Sequence, residues 1–205
     1  GEQGLGRLSG TFQVLWDANL WNRSEPDRLQ EAALLLGDKQ WCQYRQLSKG
    51  QQGAFLESLW VCVEKQEGVA GEELRALFME RVAVADARFQ CGRRGSFTDR
   101  GRVYVRFGAP SEIHKELSPK EEDLLYFFLQ REIDDAEITR GGGPPKRHPL
   151  DHSAYEVWHY IHQGEPLLRD WVIGSQGRSL RFIFVDEMGN GDYRLIHSNL
   201  LTDFE

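Results

Sequence analysis

Apolar side chains recur at helical spacing through the first ninety residues. Intervals of three and four residues predict amphipathic helices over residues 11–21 and 72–89. Ser24 is the expected N-cap of another helix, and Ser48 with Gln51 forms a capping-box pattern ahead of a further stripe. That stripe consists of Phe55, Leu56, Leu59, Trp60 and Val63. The N-terminal part of the chain is therefore predicted to be helical.

After residue 89 the period of the pattern changes to two. Residues 102–107 alternate Val103, Val105 and Phe107 with polar or charged side chains, which predicts a half-buried strand. Thr98 and Asp99 before it suit a side-chain-stabilised turn. Further strands are predicted over residues 155–162, 167–173, 180–186 and 193–197, the last two joined as a hairpin by an Asn-Gly turn. The predicted fold class is α+β, with N-terminal helices packed on an antiparallel sheet of four to five strands.

A segment between the predicted strands has the pattern of an inserted helix. Ser118, Pro119 and Glu121 form an N-terminal helix signature, and a Gly-Pro run over residues 141–145 marks a hinge. Two interpretations of its apolar residues stay open: they cover the sheet of their own chain, or they dock into a groove of another protein. The predicted partner-binding residues are Leu124, Leu125, Phe127, Phe128 and Ile133.

Charge, the length of apolar runs and cysteine spacing argue against several classes of function. The 205 residues carry a net charge of −7, and residues 101–205 hold 12 basic against 18 acidic side chains, which disfavours nucleic acid as a partner. No apolar run is long enough to span a membrane. Three cysteines without a CxxC pair indicate neither a zinc site nor a disulfide framework, and Cys62 is expected to be buried. A Cys42–Cys62 bridge and a nucleophilic Cys91 are left as alternatives.

Three stretches carry a family resemblance: GSFTDRGRVYVRFGAPSEI at residues 95–113, YEVWHY at 155–160 and RFIFVDEMGNGDYRLIH at 181–197. Together they resemble the GWxTD-domain family of largely uncharacterised bacterial proteins. Gly95, Thr98 and Asp99 occupy signature positions, whereas Ser96 stands in place of the signature Trp.

The resemblance implies a fold and a cell-envelope setting, and it implies no reaction. It favours an N-terminal helical extension over residues 1–37 and a GWxTD-like α+β domain over 38–205, with a helical insertion at about 114–152. The chain opens with Gly1 rather than Met. Proteins that share this resemblance often carry an export signal upstream. The resemblance therefore implies a periplasmic or envelope-associated protein, and a cytoplasmic location stays open as the alternative.

Two groups of side chains invite a metal-site hypothesis. His148 and His152 are four residues apart, but Pro149 between them argues against a helix that would bring them together. Asp186, Asn190 and Asp192 supply oxygen atoms in the predicted hairpin loop, although turn formation explains the same residues. We therefore predict no metal and no cofactor.

The chain holds no nucleophile elbow, phosphate-binding loop or dinucleotide signature, so we assign no catalytic residue. The predicted function is a non-catalytic interaction or assembly subunit of a larger bacterial complex in the cell envelope. The predicted partner is another protein, and nucleic acid is not expected as a partner. The alternative is a small-molecule-binding or hydrolytic domain with a pocket between helices and sheet. That pocket would be lined by Gly95, Thr98, Asp99, Arg100, His159 and Tyr193.

Overall fold

A computed structural model describes residues 25–117, 153–169 and 179–200 of the chain. The chain divides into two compact units, residues 1–55 and 56–205. The domain boundaries expected from the sequence, with a division between residues 37 and 38, stay a prediction. No helix within the described residues is both long and apolar enough to cross a bilayer.

The N-terminal unit contains helix α1 (Glu25–Leu35), helix α2 (Asp38–Gln46) and the beginning of helix α3 (Lys49–Glu67). Its centre is Tyr44, which is fully buried, stacks on Trp41 and meets Phe55 edge-on. Ahead of α3, the Ser48 backbone N–H donates to Gln51 Oε1 at 3.0 Å. The helix expected after Ser24 and this part of the capping box are confirmed.

The C-terminal unit begins with the rest of α3, followed by helix α4 (Gly71–Arg88). The two helices pack through Trp60 and Phe78, whose ring centroids are 5.9 Å apart. Arg75 Nη1 lies 2.7 Å from Glu57 Oε1 beside this contact. The predicted stripes are confirmed, because their buried members are Leu56, Trp60 and Val63 on α3 and Leu74, Phe78, Val82 and Ala85 on α4.

Four antiparallel strands form one sheet in the order β1-β2-β3-β4. They are β1 (Glu112–Glu116), β2 (Ala154–Tyr160), β3 (Leu180–Asp186) and β4 (Arg194–Ser198). The predicted α+β class, the antiparallel sheet and the β3–β4 hairpin are confirmed. A register shift lies between Ile183 and Phe184.

The strand predicted over residues 102–107 is wrong, because these residues belong to helix α5 (Asp99–Phe107). Gly101, Val103, Val105 and Phe107 are all buried, while Arg102 between them is exposed. A helix that is enclosed on most sides needs no 3.6-residue stripe, so alternating apolar residues are compatible with it. Packing inside the domain therefore overrides the strand-like pattern.

The strand β1 was not predicted, since its residues were assigned to the region around the insertion. Residues 114–116 of that region are strand. Residues 118–152 of the insertion lie outside the described residues, including Leu124, Leu125, Phe127, Phe128 and Ile133. The strand expected over 167–173 is not formed at residues 167–169, and the rest of it lies outside the described residues. The helix expected over 11–21 lies outside them as well.

Alternation along the strands separates two buried clusters on opposite faces of the sheet. The first face packs against α5 through Val103 and Phe107. Its strand residues are Trp158, Tyr160, Leu180, Phe182 and Phe184, joined by Tyr193. The buried cluster on the second face contains strand residues alone: Tyr155, Val157, Ile183 and Val185. Helix α5 therefore defines the side of the sheet on which the signature residues lie.

Arg81 of α4 closes the C-terminal end of α5. Its side chain is buried, and Nη1 donates to the carbonyl oxygens of Val105 and Arg106, both at 3.4 Å, and of Glu165 at 2.8 Å. The last carbonyls of a helix have no partner within the helix and carry partial negative charge, so a buried cation is stabilising there. The sequence analysis did not identify this role.

We expect Arg81→Met to lower the free energy of unfolding by about 2–4 kcal/mol, because it leaves buried carbonyl oxygens without their charged donor. The measurement is urea unfolding followed by circular dichroism. Arg88→Met, which removes an exposed arginine from the last turn of the same helix, is the control and should change stability by less than about 0.5 kcal/mol. Equal effects of the two substitutions would contradict this role of Arg81.

Candidate functional site

The signature begins where three backbone segments approach one another without intervening side chains. A Cβ atom on Gly95 would lie 2.8 Å from the carbonyl carbon of Ala85 in α4. A Cβ atom on Gly101 in α5 would lie 2.7 Å from the carbonyl carbon of Gly95. Both distances are shorter than carbon atoms tolerate, and the obstructing atoms are backbone. These two glycines therefore permit the close packing of α4, α5 and the turn over Gly95–Phe97 between them, which we call the signature turn.

Thr98 is the N-cap of α5. Its Oγ1 accepts a hydrogen bond from the Gly101 backbone N–H at 3.1 Å and donates one to the Gly95 carbonyl oxygen at 2.6 Å. The first N–H groups of a helix lack partners within the helix, and a threonine hydroxyl at this position supplies one. The sequence predicted a turn at Thr98; the structure shows a helix cap.

Ser96, at the position of the signature Trp, is completely buried. It belongs to a short 3₁₀ turn over Gly95–Phe97, and its backbone N–H donates to Asp86 Oδ1 at 2.8 Å. The small side chain thus occupies an interior position beside α4.

Asp99 joins the signature to the sheet. Its Oδ2 accepts a hydrogen bond from the Leu195 backbone N–H of β4 at 2.9 Å, and Oδ1 is 4.0 Å from Arg93 Nη2. A carboxylate in the first turn of α5 also interacts favourably with the helix dipole. Asp99 therefore orients α5 against the edge strand β4.

Arg100 lies in a polar cluster between α5 and the first face of the sheet. Its Nη1 is 3.1 Å from Glu156 Oε1, and its Nη2 donates to the Gly191 carbonyl oxygen at 3.1 Å. The guanidinium carbon lies 4.0 Å from the ring centroid of Tyr193 and 5.3 Å from that of Phe89. This combination of ion pair, hydrogen bond and cation–π contact fixes the side chain in one position.

Tyr193 forms one wall of this cluster. Burial raises the pKa of the Tyr193 hydroxyl, while the charge of Lys115 acts in the opposite direction. Lys115 Nζ lies 5.6 Å from the centroid of the same ring and 2.9 Å from Glu156 Oε1. The neutral phenol is therefore the form present at neutral pH, and its ring face is available to both cations.

His159 is not part of this cluster. It lies on β2, where successive side chains alternate between faces, so it points away from the face that carries Glu156 and Trp158. Of the residues proposed for the alternative pocket, the structure brings Gly95, Thr98, Asp99, Arg100 and Tyr193 to one region and leaves His159 on the second face.

The hairpin loop is built by its own polar residues. Asp186 accepts hydrogen bonds from the backbone N–H groups of Asn190 and Gly191, at 3.1 and 2.8 Å. Asn190 Oδ1 accepts one from the Asp192 N–H at 2.9 Å, and Arg93 and Arg194 both contact Asp192. These contacts are those of an ordered turn. In the described part of the chain, no three His, Cys, Asp or Glu side chains are grouped to hold a metal ion.

The remaining predicted chemistry is dispersed. His162 lies in the turn after β2, while His148 and His152 lie outside the described residues. All three cysteines are free, so the Cys42–Cys62 bridge is not formed. Cys62 is exposed, which makes the prediction of a buried position wrong: the apolar stripe of α3 runs along the neighbouring face. The sequence analysis missed Glu156, whose signal is a single acid between two apolar residues of a buried strand.

We expect Gly101→Ala to lower the free energy of unfolding by at least about 2 kcal/mol, because the added methyl group meets backbone that cannot move aside independently. Thermal and urea unfolding provide the measurement. Gly53→Ala is the control, since a Cβ atom at that position in α3 has no neighbour within 4 Å. Its higher helix propensity should leave the protein unchanged or more stable by up to about 1 kcal/mol. A Gly101→Ala protein as stable as the control would contradict the close-packing argument.

Protonation of His159 should oppose folding. Burial, then the charges of Arg181 and His114, lower the pKa of His159, and Glu112 only partly offsets them. The unfolded chain therefore binds the proton more tightly, so stability should fall as the pH drops below about 6.5. Comparing urea unfolding at pH 7.5 and 5.5, we expect a smaller loss for His159→Gln than for the unmodified protein. His162→Asn, which removes an exposed histidine from the turn after β2, is the control substitution. An equal loss of stability in His159→Gln and in the unmodified protein would refute this expectation.

Comparison with known proteins identifies the family of the chain. The family model described as the GWxTD domain matches residues 21–133, more than half of the chain. This range contains Gly95, Thr98 and Asp99 and ends before β2. No curated protein and no solved structure matches the chain. The chain belongs to the GWxTD-domain family.

Proposed function

We propose that this protein is a non-catalytic interaction or assembly subunit of a larger bacterial complex in the cell envelope. Its partner is another protein, and the contact surface includes the segment 118–152 with Leu124, Leu125, Phe127, Phe128 and Ile133. The envelope setting rests on the family resemblance, and the subunit role rests on the way the signature residues are used.

The observation that carries the proposal is that the polar groups of the signature are engaged within the chain. Thr98 Oγ1 binds Gly95 and Gly101, Asp99 Oδ2 binds the backbone of β4, and Arg100 binds Glu156 and the hairpin loop. Groups committed to such contacts stabilise a fold and are poorly placed to exchange partners with a substrate. The signature is thus better suited to building a scaffold than to catalysis.

A second observation supports a contact surface next to the scaffold. Ile113 in β1 and Leu117, the residue directly after β1, are 54% and 67% exposed. Leu117 directly precedes the segment 118–152, in which the apolar residues of the proposed contact surface begin at Leu124. Apolar residues gathered at a protein surface are a common feature of protein–protein contacts.

The pocket hypothesis receives less support from the geometry. It requires Asp99, Arg100, His159 and Tyr193 to converge on one ligand. His159 lies on the other face of the sheet, and the charged atoms of Asp99 and Arg100 are held by the protein. A hydrolytic reaction would need to break these contacts before a substrate entered.

The test is capture of the tagged full-length protein, with crosslinking, from the envelope fraction of its own cells. A variant in which a four-residue Asn-Gly turn replaces residues 118–152 should lose a stoichiometric partner at least tenfold. This replacement is compatible with the fold because Glu116 and Tyr155 are directly paired across β1 and β2, which suits a hairpin turn. Circular dichroism and the unfolding midpoint establish that the variant is folded.

Two double substitutions test the same contact surface without removing any residues. Leu124→Asp with Phe128→Asp should weaken capture, whereas Ile161→Asp with Met188→Asp, at exposed apolar positions elsewhere, should not. Retention of the partner by the turn variant, or equal losses from both pairs, would reject the proposed contact surface. Recovery of the protein only from the cytosolic fraction would reject the envelope setting.

A further inference from the structure

Glu156 is a buried carboxylate shared by two cations from different elements. Its side chain is 6% exposed. Oε1 lies 3.1 Å from Arg100 Nη1 of α5 and 2.9 Å from Lys115 Nζ of β1. Oε2 accepts a hydrogen bond from Trp158 Nε1 at 3.1 Å. We call Arg100, Glu156 and Lys115 the Glu156 cluster.

The two cations differ in their surroundings. Arg100 is 12% exposed and is held by Tyr193 and the Gly191 carbonyl, whereas Lys115 is 46% exposed. Arg100 and Trp158 therefore fix the carboxylate, and Lys115 reaches it from the solvent side. A buried carboxylate in a fixed position is a strong attractor for one ammonium group.

Lys115 and Glu156 are also direct partners in the register of β1 and β2. A shift of one residue would place His114 or Glu116 opposite Glu156 and would send the side chains of β1 to the other face. A shift of two residues would place Ile113 or Leu117 there. Only the observed register puts a lysine beside the carboxylate.

The apolar pattern of β1 specifies this register weakly. Within Glu112–Glu116 the single apolar residue is Ile113, which is exposed. A strand whose faces are not distinguished by burial is prone to slip unless another interaction fixes it. The cross-strand ion pair supplies such an interaction within the strand. Just before β1, the Ser111 N–H donates to the His159 carbonyl oxygen at 2.8 Å, and Ser111 Oγ accepts from the Ile161 N–H at 3.0 Å.

We infer that the Glu156 cluster holds β1 in this register beyond its Ser111 anchor and thereby fixes the position of Leu117, the last described residue before the segment 118–152. Arg100 and Lys115 thereby act as positioning residues. They connect helix α5 with the strand that precedes the proposed contact surface. The register claim stands on the structure alone; the connection to partner binding rests on the proposed function.

Amide hydrogen exchange of the full chain tests the register claim. In Lys115→Gln, those amides of Glu112–Glu116 that donate to β2 should exchange at least tenfold faster, while those of β3 stay within twofold of the unmodified protein. Lys115→Arg should restore slow exchange, and 0.5 M NaCl should accelerate β1 exchange in the unmodified protein more than in Lys115→Gln. Lys65→Gln, which removes an exposed charge from α3, is the matched control and should change neither strand.

Each of three results would contradict a different step of the inference. Unchanged exchange in β1 would reject the register claim, and equal acceleration in β1 and β3 would reject its local character. Partner capture at the unmodified level despite faster β1 exchange would reject the connection to the contact surface. If the unmodified protein captures no partner, the proposed function fails, and the exchange data still decide the register claim.

Discussion

The structure depends on a contact between backbones at Gly95 and Gly101. Because neither residue carries a Cβ atom, α4, the signature turn and α5 approach more closely than helices separated by side chains. This contact fixes the direction of α5 as it leaves Thr98. That direction brings Asp99 to the backbone of β4 and Arg100 to Glu156. The spacing of glycine, threonine and aspartate in the signature thus has a geometric explanation.

Charge then makes the arrangement specific. Arg100 and Glu156 are both largely withdrawn from water, so removing the carboxylate would leave a largely buried guanidinium without its ion-pair partner, at a cost of about 3–5 kcal/mol. Arg81 contributes in a similar way at the opposite end of α5, where it satisfies carbonyl oxygens. Two arginines therefore hold the two ends of one short helix. Apolar packing through Val103 and Phe107 stabilises this helix, and the charged contacts determine its orientation.

The spacing of apolar residues predicted the helices that bury only one side. It failed for α5, which is buried on most of its sides. Helices α3 and α4 expose one side to water, so their apolar spacing identifies them. Helix α5 is enclosed, and its alternating residues imitated a strand, although Thr98, Asp99 and Gly108 carried the signals of a helix start and stop. The Glu156 cluster was beyond prediction because Arg100 and Glu156 are 56 residues apart in sequence. Strand alternation predicts that His159 and Trp158 lie on opposite faces of the sheet. It does not predict which of the two faces α5 covers.

The unequal connections within the sheet have a consequence for the order in which it folds. Seven residues separate β3 from β4, and thirty-seven separate β1 from β2. Closing the longer connection costs about 1.5 kcal/mol more in chain entropy. The C-terminal hairpin is thus the natural nucleus, and β1 is the strand that joins last. During synthesis, the residues of α5 are made well before the strands that cover Val103 and Phe107, so these two apolar side chains lack their sheet partners until the C-terminal end of the chain has been completed.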